Sequence, residues 1–352
     1  MHSTSLPALT VAISLAGMSL AARDAVHRQP AIVLVTVIDS GARYPLVNAD
    51  VIDLNTGQRR FTDERGQARL TWPSDGQLRL RVRQVGYQPR QRTLRMQDAS
   101  TAATTFAMNK VACVISPVKS TSHCVTAADS SSLDLSLSAL EQLKQAAEKY
   151  DQFRRLFPFE ATVERRTAAI PTNGIVKRIT TARETFRSDN WEMAYRPGDI
   201  IEYDRGSFTV PILFLSTLGD SVFWDHHCFI ARGIESYQDA RVVRLEFSPR
   251  TDVTGPDYEG AALLDSITSQ LLRVDFHLAN LHQRNGPKRL EGYITFMSPT
   301  PFVMMPDTTM AMWWLRNVSD TAWGNPDFAQ RLSLENLKYR RQTPPGHEQA
   351  KR

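Results

Sequence analysis

The spacing of apolar residues changes at Pro158, and this change constrains the fold more than any other feature of the 352-residue chain. Over residues 133–157 apolar side chains recur at intervals of three and four, which is the spacing of one helix face. From Phe159 onward they alternate with polar ones, as in strands that bury a single face. The sequence therefore predicts one amphipathic helix, ended by the proline, followed by a long run of strands.

Nine strands are predicted after the helix, and short turns separate most of them. Short turns favour antiparallel neighbours, because a parallel pair needs a long crossover connection. One helix beside such a meander predicts a curved half-barrel that folds around the helix. The predicted strands are Phe159–Arg165, Val176–Phe186, Phe208–Leu215, Ser221–Ala231, Arg241–Phe247, Tyr258–Leu264, Leu271–Leu278, Leu290–Phe296 and Thr309–Leu315.

Residues 31–110 show a different sequence pattern, in which short segments of alternating apolar and polar residues are separated by a turn every ten residues or so. The clearest segment is Leu78–Arg83, in which three apolar residues alternate with three arginines. Regularly spaced short strands of this kind predict a small antiparallel β-sandwich. The fold class expected for the whole chain is therefore mainly β.

The turn motifs of this sandwich also carry a resemblance. Thr62-Asp63-Glu64-Arg65-Gly66 has the form of a tight turn closed by glycine, and Gly86-Tyr87 ends a strand. With Tyr44–Val51 and Thr56-Gly57, these motifs make residues 32–96 similar to the carboxypeptidase regulatory-like domain, a transthyretin-like β-sandwich. The resemblance covers under a fifth of the chain and implies a non-catalytic accessory role.

Two broader resemblances concern the rest of the chain. The segment from Tyr258 to Phe276 resembles a hairpin of lipoprotein-carrier-like envelope proteins, in which a strand ends at Asp and returns through an apolar strand. The layout as a whole resembles a group of uncharacterised exported bacterial proteins. That group implies no activity.

The first residues predict export. Leu6–Ala22 is almost uncharged but is diluted by Pro7 and Gly17, which suits a signal peptide better than a membrane-spanning helix. Small residues place the cleavage site near Ala21–Ala25, and Met18 stands where a lipidated cysteine would be needed. We expect a protein of the periplasm or cell surface, without a lipid anchor and without a transmembrane span after cleavage. A buried or interfacial N-terminal helix is the alternative.

Export changes how the three cysteines are interpreted, because thiols tend to pair in oxidising compartments. We predict a disulfide between Cys124 and Cys228, with Cys113 as the odd thiol in an apolar stretch. Such a bridge would anchor the linker that precedes the helix. Three unrelated buried thiols are the alternative.

No familiar catalytic motif occurs. None of the eight histidines is followed at the third position by Glu, and the nucleophile elbow, the phosphate-binding loop and the dinucleotide fingerprint are missing. The only dense cluster of ligand-type residues is Asp225-His226-His227-Cys228. On the predicted strand His226 and Cys228 would share a face and His227 would point away. A metal site here would therefore need further ligands from distant parts of the chain. We predict no cofactor and no metal, with an unfamiliar or peptidase-associated hydrolase using this cluster as the alternative.

Arginines concentrate in the sandwich: residues 59–95 hold ten of them against three acidic residues. Arg79, Arg81 and Arg83 would form a stripe on one strand face, suited to phosphate or carboxylate groups of an anionic envelope component or of a protein partner. A solvated outer face is the alternative. Export and the absence of stacking aromatic residues argue against nucleic acid.

A soft aromatic cluster near the C-terminus provides the second candidate surface. Met310, Met312 and Trp314 fall on one face if residues 309–315 form a strand, and they would line a groove for an apolar ligand or a peptide. Such a face is also compatible with ordinary core.

Together the sequence predicts a non-enzymatic exported binding or scaffold protein of the bacterial envelope. The expected segments are a signal peptide (1–25), a regulatory-like sandwich (31–110), a linker (111–132), a helix-and-meander domain (133–341) and a disordered tail (342–352).

Overall fold

A computed structural model describes residues 32–95, 103–111, 124–125, 130–170, 178–189, 195–204, 207–210, 213–281, 287–315 and 326–347. From Ile32 onward the described residues belong to one compact unit. The predicted signal peptide and Cys113 lie outside the described residues. The mainly β fold is confirmed.

Seven strands form the N-terminal sandwich, in two sheets of order β4-β1-β7 and β3-β2-β5-β6. All described pairings are antiparallel except that of β1 with β7, which is parallel. The strands are β1 (Ile32–Asp39), β2 (Asp50–Asp53), β3 (Arg59–Phe61), β4 (Gln67–Thr71), β5 (Gln77–Arg83), β6 (Arg90–Arg95) and β7 (Ala103–Met108).

Strict alternation explains why this sandwich closes. In β1 every second residue is buried, and in β5 Leu78, Leu80 and Val82 are fully buried. Because successive side chains of a strand point to opposite faces, each sheet contributes one apolar face to a common core. Whether residues 32–96 belong to the carboxypeptidase regulatory-like family stays a prediction.

The rest of the chain is built on a ten-stranded sheet and one long helix, in the strand order β10-β9-β19-β18-β17-β16-β15-β14-β13-β8. The first elements are β8 (Cys124–Val125), α1 (Ser130–Leu156), β9 (Phe159–Ala169), β10 (Arg178–Arg187), β11 (Glu202–Asp204), β12 (Ser207–Thr209), α2 (Leu215–Leu218) and α3 (Ser221–His226). The meander continues with β13 (His227–Tyr237), β14 (Ala240–Pro249), β15 (Asp257–Asp265), β16 (Leu271–Ala279), β17 (Arg289–Thr300), β18 (Val303–Trp314) and β19 (Phe328–Tyr339).

Helix α1 lies against the inner face of this sheet, where it contacts β13, β14, β15 and β18. Its apolar residues Leu140, Leu143 and Ala147 are buried in the same cluster as Phe229 and Leu245 of the sheet. The predicted helix and meander are thus present, and the helix begins three residues earlier than predicted.

Glycines allow the strands to approach one another closely at the centre of the sheet. A register row across the inner face reads Phe247, Gly260, Phe276, Gly292 and Ala311. A Cβ atom on Gly260 would lie 2.0 Å from the Asp275 carbonyl oxygen, and one on Gly292 would lie 2.1 Å from that of Met310. The Phe276 ring covers the space above Gly292, so an aromatic side chain fills what the glycine leaves open.

Two predicted strands are wrong. Ser221–Ala231 begins as a helix, α3, whose first turn is capped by the Asp220 side chain accepting from the Val222 N–H at 2.9 Å. Phe208–Leu215 does not form one strand, because pairing ends at Thr209 and Leu215 starts helix α2. At α3 the Asp220 cap outweighed an apparent period of two, whereas the start of α2 has no side-chain cap.

Strand β19 was not predicted, for an identifiable reason. Its apolar residues Leu332 and Leu334 alternate, but the register shifts between Glu335 and Lys338, with Asn336 in the left-handed region at φ 54°. This bulge moves the next leucine out of the period of two.

The predicted disordered tail is wrong for residues 342–347. The Pro345 carbonyl oxygen accepts hydrogen bonds from the Thr300 hydroxyl and from Asn48 Nδ2, and His347 Nδ1 lies 2.9 Å from the Pro299 carbonyl oxygen. The Gly346 N–H donates to Glu64 at 3.3 Å. This segment therefore contacts both the sandwich and the meander.

Candidate apolar binding site

A cavity of about 360 Å³ opens between the inner face of strands β9, β10, β18 and β19 and the covering layer of helix α1 and residues 214–216. Small-molecule sites commonly fall between about 300 and 1,000 Å³ and are lined mainly by apolar side chains. The apolar lining here includes Phe186, Phe214, Leu215, Met305, Leu332 and Leu334.

Strand register brings these side chains together. Leu334 of β19 lies opposite Val163 of β9, and Leu332 lies opposite Arg165 and Thr309. Residues opposite one another in a sheet share a face, so this row projects towards the helix. Phe186 and Leu334 are only partly buried although they pack on the core cluster. The wall is therefore apolar surface that the chain leaves incompletely covered.

Polar and charged groups border the same cavity. Arg165 and Glu184 approach to 3.4 Å, and both side chains are substantially exposed. Arg154 is buried and donates to the Ser188 carbonyl oxygen at 3.0 Å. Burial raises the pKa of Tyr150 to about 12, so this phenol stays protonated at neutral pH. The site thus pairs an apolar interior with a polar edge of both charge signs.

A second concavity, of about 550 Å³, lies on the opposite, outer face of the sheet. It is lined by ion pairs that are already formed, such as Arg232 with Glu246 at 2.7 Å and Arg273 with Asp275 at 2.7 Å. Arg273 also lies over the Tyr293 ring, 4.0 Å from its centroid. Charged groups that satisfy one another make this surface a poorer candidate for an apolar ligand.

The predicted groove of Met310, Met312 and Trp314 is not where the apolar cavity lies. Met310 pairs with Tyr293 and Met312 with Glu291, so these residues follow the outer face, whereas the inner face carries Ala311. Trp314 is buried under Arg289, whose guanidinium lies 4.9 Å from the ring centroid. The sequence placed three residues on one strand face but did not determine which side of the sheet that face occupies.

The predicted arginine stripe is divided by its surroundings. Arg79 is exposed, whereas Arg81 lies 3.9 Å from Glu141 of helix α1. Arg83 is buried between Asp50 at 3.0 Å and Glu148 of α1 at 2.7 Å. The prediction of an open stripe is therefore wrong for Arg83, because the outer face of β5 packs against the helix.

The histidine cluster has a different geometry from the one predicted. His226 ends helix α3 and is half-buried, and its Nδ1 lies 2.8 Å from the Val222 carbonyl oxygen. His227 is fully buried, with its ring nitrogens 2.9 and 2.8 Å from the carbonyl oxygens of Phe223 and Tyr258. Burial lowers the pKa of His227. A neutral imidazole carries a single N–H, so His227 donates to one of these two carbonyl oxygens and only lies close to the other. No group of three potential metal ligands occurs among the described residues.

Sequence reasoning missed the buried partners of this region. Asp257 accepts hydrogen bonds from the Tyr195 hydroxyl at 2.6 Å and from the Gly198 N–H at 2.9 Å. Burial, followed by the hydrogen bond to Asp257, raises the pKa of Tyr195. These residues lie far apart in the sequence, so no local pattern marks them.

Cys228 is disulfide-bonded, and the residue opposite it in the parallel pair of β13 and β8 is Cys124. This register supports the predicted Cys124–Cys228 bridge, which stays a prediction.

No family model and no curated protein matches this chain. Among solved structures, a DUF1329 family protein from Desulfovibrio piger is similar over 58% of this chain and 95% of its own, with 11% identity and a TM-score of 0.34. A LolA superfamily protein from Nitrosomonas europaea is similar over 59% of this chain and 94% of its own, with 12% identity and a TM-score of 0.32. Likenesses this distant carry no function to the chain. Within the described ranges no helix is both long and apolar enough to cross a bilayer.

Proposed function

We propose that this protein is a non-enzymatic binding protein exported to the bacterial cell envelope, and that it holds the apolar part of a ligand in the cavity under helix α1. The observation that carries the proposal is the partly covered apolar wall around Phe186, Leu332 and Leu334. Apolar surface left open inside a fold favours the binding of an apolar group, because burial gains roughly 25 cal/mol per Å².

The polar edge indicates the class of ligand. Arg165, Arg187 and Glu184 border the cavity at its open side, and each arginine is within 3.4 Å of a carboxylate. An amphiphile with an apolar chain and a polar or charged end would place each part against matching groups. A wholly apolar ligand would make no use of the charged groups at the border of the cavity.

Export and an anionic partner belong to the same proposal and rest on sequence. The apolar run Leu6–Ala22 supports a signal peptide. Arg79, Arg90 and Arg95 of the sandwich are exposed and support weak binding to an anionic envelope component. The hydrolase alternative gains no support from geometry, because both ring nitrogens of His227 face backbone carbonyl groups.

Binding of a fluorescent naphthylamine probe to the purified protein tests the cavity. Leu334→Gln keeps the side-chain size but adds a polar amide to the wall, so the probe should bind roughly tenfold more weakly. The matched control is Met310→Gln, a partly buried residue on the outer face of the neighbouring strand. That variant should bind as the unmodified protein does. Thermal melting of both variants verifies that they are folded.

Equal affinity in all three proteins, or equal weakening in both variants, would contradict binding in this cavity. In a separate experiment, lipid extraction and mass spectrometry of protein purified from its own envelope would identify the natural ligand.

A further inference from the structure

The N-terminal sandwich is held against helix α1 by polar contacts rather than by an apolar interface alone. The Gly86 N–H donates to Gln142 Oε1 at 2.8 Å, and Arg83 pairs with Glu148 at 2.7 Å. Phe302, from the turn between β17 and β18, packs on the sandwich core. The helix thus has one face for the sandwich and another for the sheet.

Lys149 lies within this contact. The residue is 4% exposed, and its Nζ donates to Gln84 Oε1 of the sandwich. The rings of Phe61 and Phe302 lie at 6.0 and 5.8 Å from the nitrogen. A lysine amine in such surroundings loses most of its hydration, which disfavours its charged form.

The charged groups around Lys149 already neutralise one another when the lysine amine is uncharged. Asp50 of β2 is paired with Arg59 of β3 and Arg83 of β5, and Arg83 also pairs with Glu148 of the helix. Two carboxylates therefore meet two guanidinium groups. A protonated Lys149 would add one uncompensated positive charge to a buried cluster, and a neutral Lys149 would not.

The electrostatics of the cluster agree with this count. Burial lowers the pKa of Lys149 to about 7; Asp50 opposes the shift, and Arg83 and Arg59 add to it. The turn between β17 and β18 contributes Phe302 and Thr300, which carry no charge.

We propose that docking of the sandwich on helix α1 is controlled by a proton on Lys149, with the contact tight when the amine is neutral and weakened when it is protonated. This proposal does not depend on what the cavity holds. It bears on the cavity nonetheless, because Tyr150, the next residue of the helix, lines the cavity wall.

The direction of the pH dependence of docking follows from the pKa of Lys149 in the undocked and docked states. In the undocked state Lys149 is exposed and has the ordinary pKa of 10.5, and in the docked state the pKa is about 7. The docked state thus binds fewer protons between these values, so docking strengthens as pH rises from 7 to 10.5. It weakens as pH falls through this range and becomes constant below pH 7.

Hydrogen exchange of the Gly86 amide reports on the contact directly, because this N–H donates across it. In the full-length protein its protection, corrected for the intrinsic exchange rate, should fall as pH is lowered from about 8.5 to 7, by roughly tenfold per unit at the upper end of this range and by less near pH 7. The Gly198 amide, bound to Asp257 inside the meander, serves as an internal control and should not change.

Two variants isolate the proton. Lys149→Met removes the titrating amine and keeps the side-chain length, so Gly86 protection should become independent of pH. Gln84→Glu supplies a carboxylate beside the amine and balances its charge, which should reduce the pH dependence even if Lys149→Met fails to fold. Lys338→Met, at an exposed lysine, should retain the dependence of the unmodified protein.

Constant Gly86 protection over this pH range in the unmodified protein would overturn the proposal. An unchanged slope in Lys149→Met, or in Gln84→Glu, would do the same.

Discussion

The two β regions of this chain bury their apolar residues to different extents. Among the described residues, the partly buried apolar side chains that pack on the sandwich core are Leu94 of β6 and Phe302 of the turn between β17 and β18. Around the meander core, ten described residues are partly buried in this way, among them Phe186 and Leu334. Two facing sheets close over each other, whereas one helix is too narrow to cover a ten-stranded sheet. The difference teaches that the cavity arises from incomplete coverage, not from a special local motif.

The arginines show a similar contrast. Arg79 and Arg83 lie on the same face of β5, yet one is exposed and the other is 8% exposed within an ion-pair cluster. Arg83 is buried because it lies against helix α1, whereas Arg79 is exposed.

The largest effect we expect comes from breaking that cluster. Arg83→Gln would leave Asp50 and Glu148 with less compensation, and loss of one partner from a buried pair costs about 3–5 kcal/mol. Arg79→Gln, on the same strand face, should change the free energy of unfolding by no more than about 0.5 kcal/mol. Urea unfolding of the two variants measures the difference. Similar values would show that the helix does not distinguish the two positions.

Truncation of leucines tests the contrast between the two cores. Leu80→Ala in the sandwich leaves a cavity in a filled core and should cost about 2–5 kcal/mol of unfolding free energy. Leu334→Ala enlarges a space that already exists, so we expect a cost of about 1 kcal/mol. Equal losses in chemical denaturation would mean that the cavity wall is as tightly packed as the sandwich interior.

The smallest effect concerns binding to polyanions. Arg79 and Arg95 share the outer face of the β5–β6 pair, and exposed ion pairs contribute only about 0–1 kcal/mol each. Replacing both by Gln should lower the salt concentration at which the protein elutes from an anionic matrix, without changing its melting temperature. The control replaces Arg178 and Arg341, which are exposed arginines outside the sandwich. Equal shifts in both double variants would point to net charge rather than to a specific surface.

Much of the fold was accessible from the sequence because it depends on local periodicity. The period of β5 gave its buried apolar residues correctly, and the helix of residues 133–157 differs from α1 by three residues at its start and one at its end. Errors occurred where a local effect interrupted the period, as at the Asp220 cap before α3 and the bulge at Asn336 in β19.

The candidate site was harder to predict from the sequence than the fold. Phe186, Met305 and Leu334 belong to three different strands, and none of them is distinguished from an ordinary core residue by its neighbours in sequence. The predicted groove residues Met310 and Met312 follow the correct alternation, but that alternation is the same for either face of the sheet.

By itself, the sequence determined which residues share a strand face, where the long helix lies and that the chain is mainly β. These properties follow from the geometry of the backbone over a few residues. Only the tertiary structure decided which face of β18 meets the helix, which arginine of β5 is buried, and that Lys149 lies among Asp50, Arg59 and Arg83. Those outcomes depend on contacts between residues that lie far apart in the sequence, whose energies arise from desolvation and charge balance that no local pattern encodes.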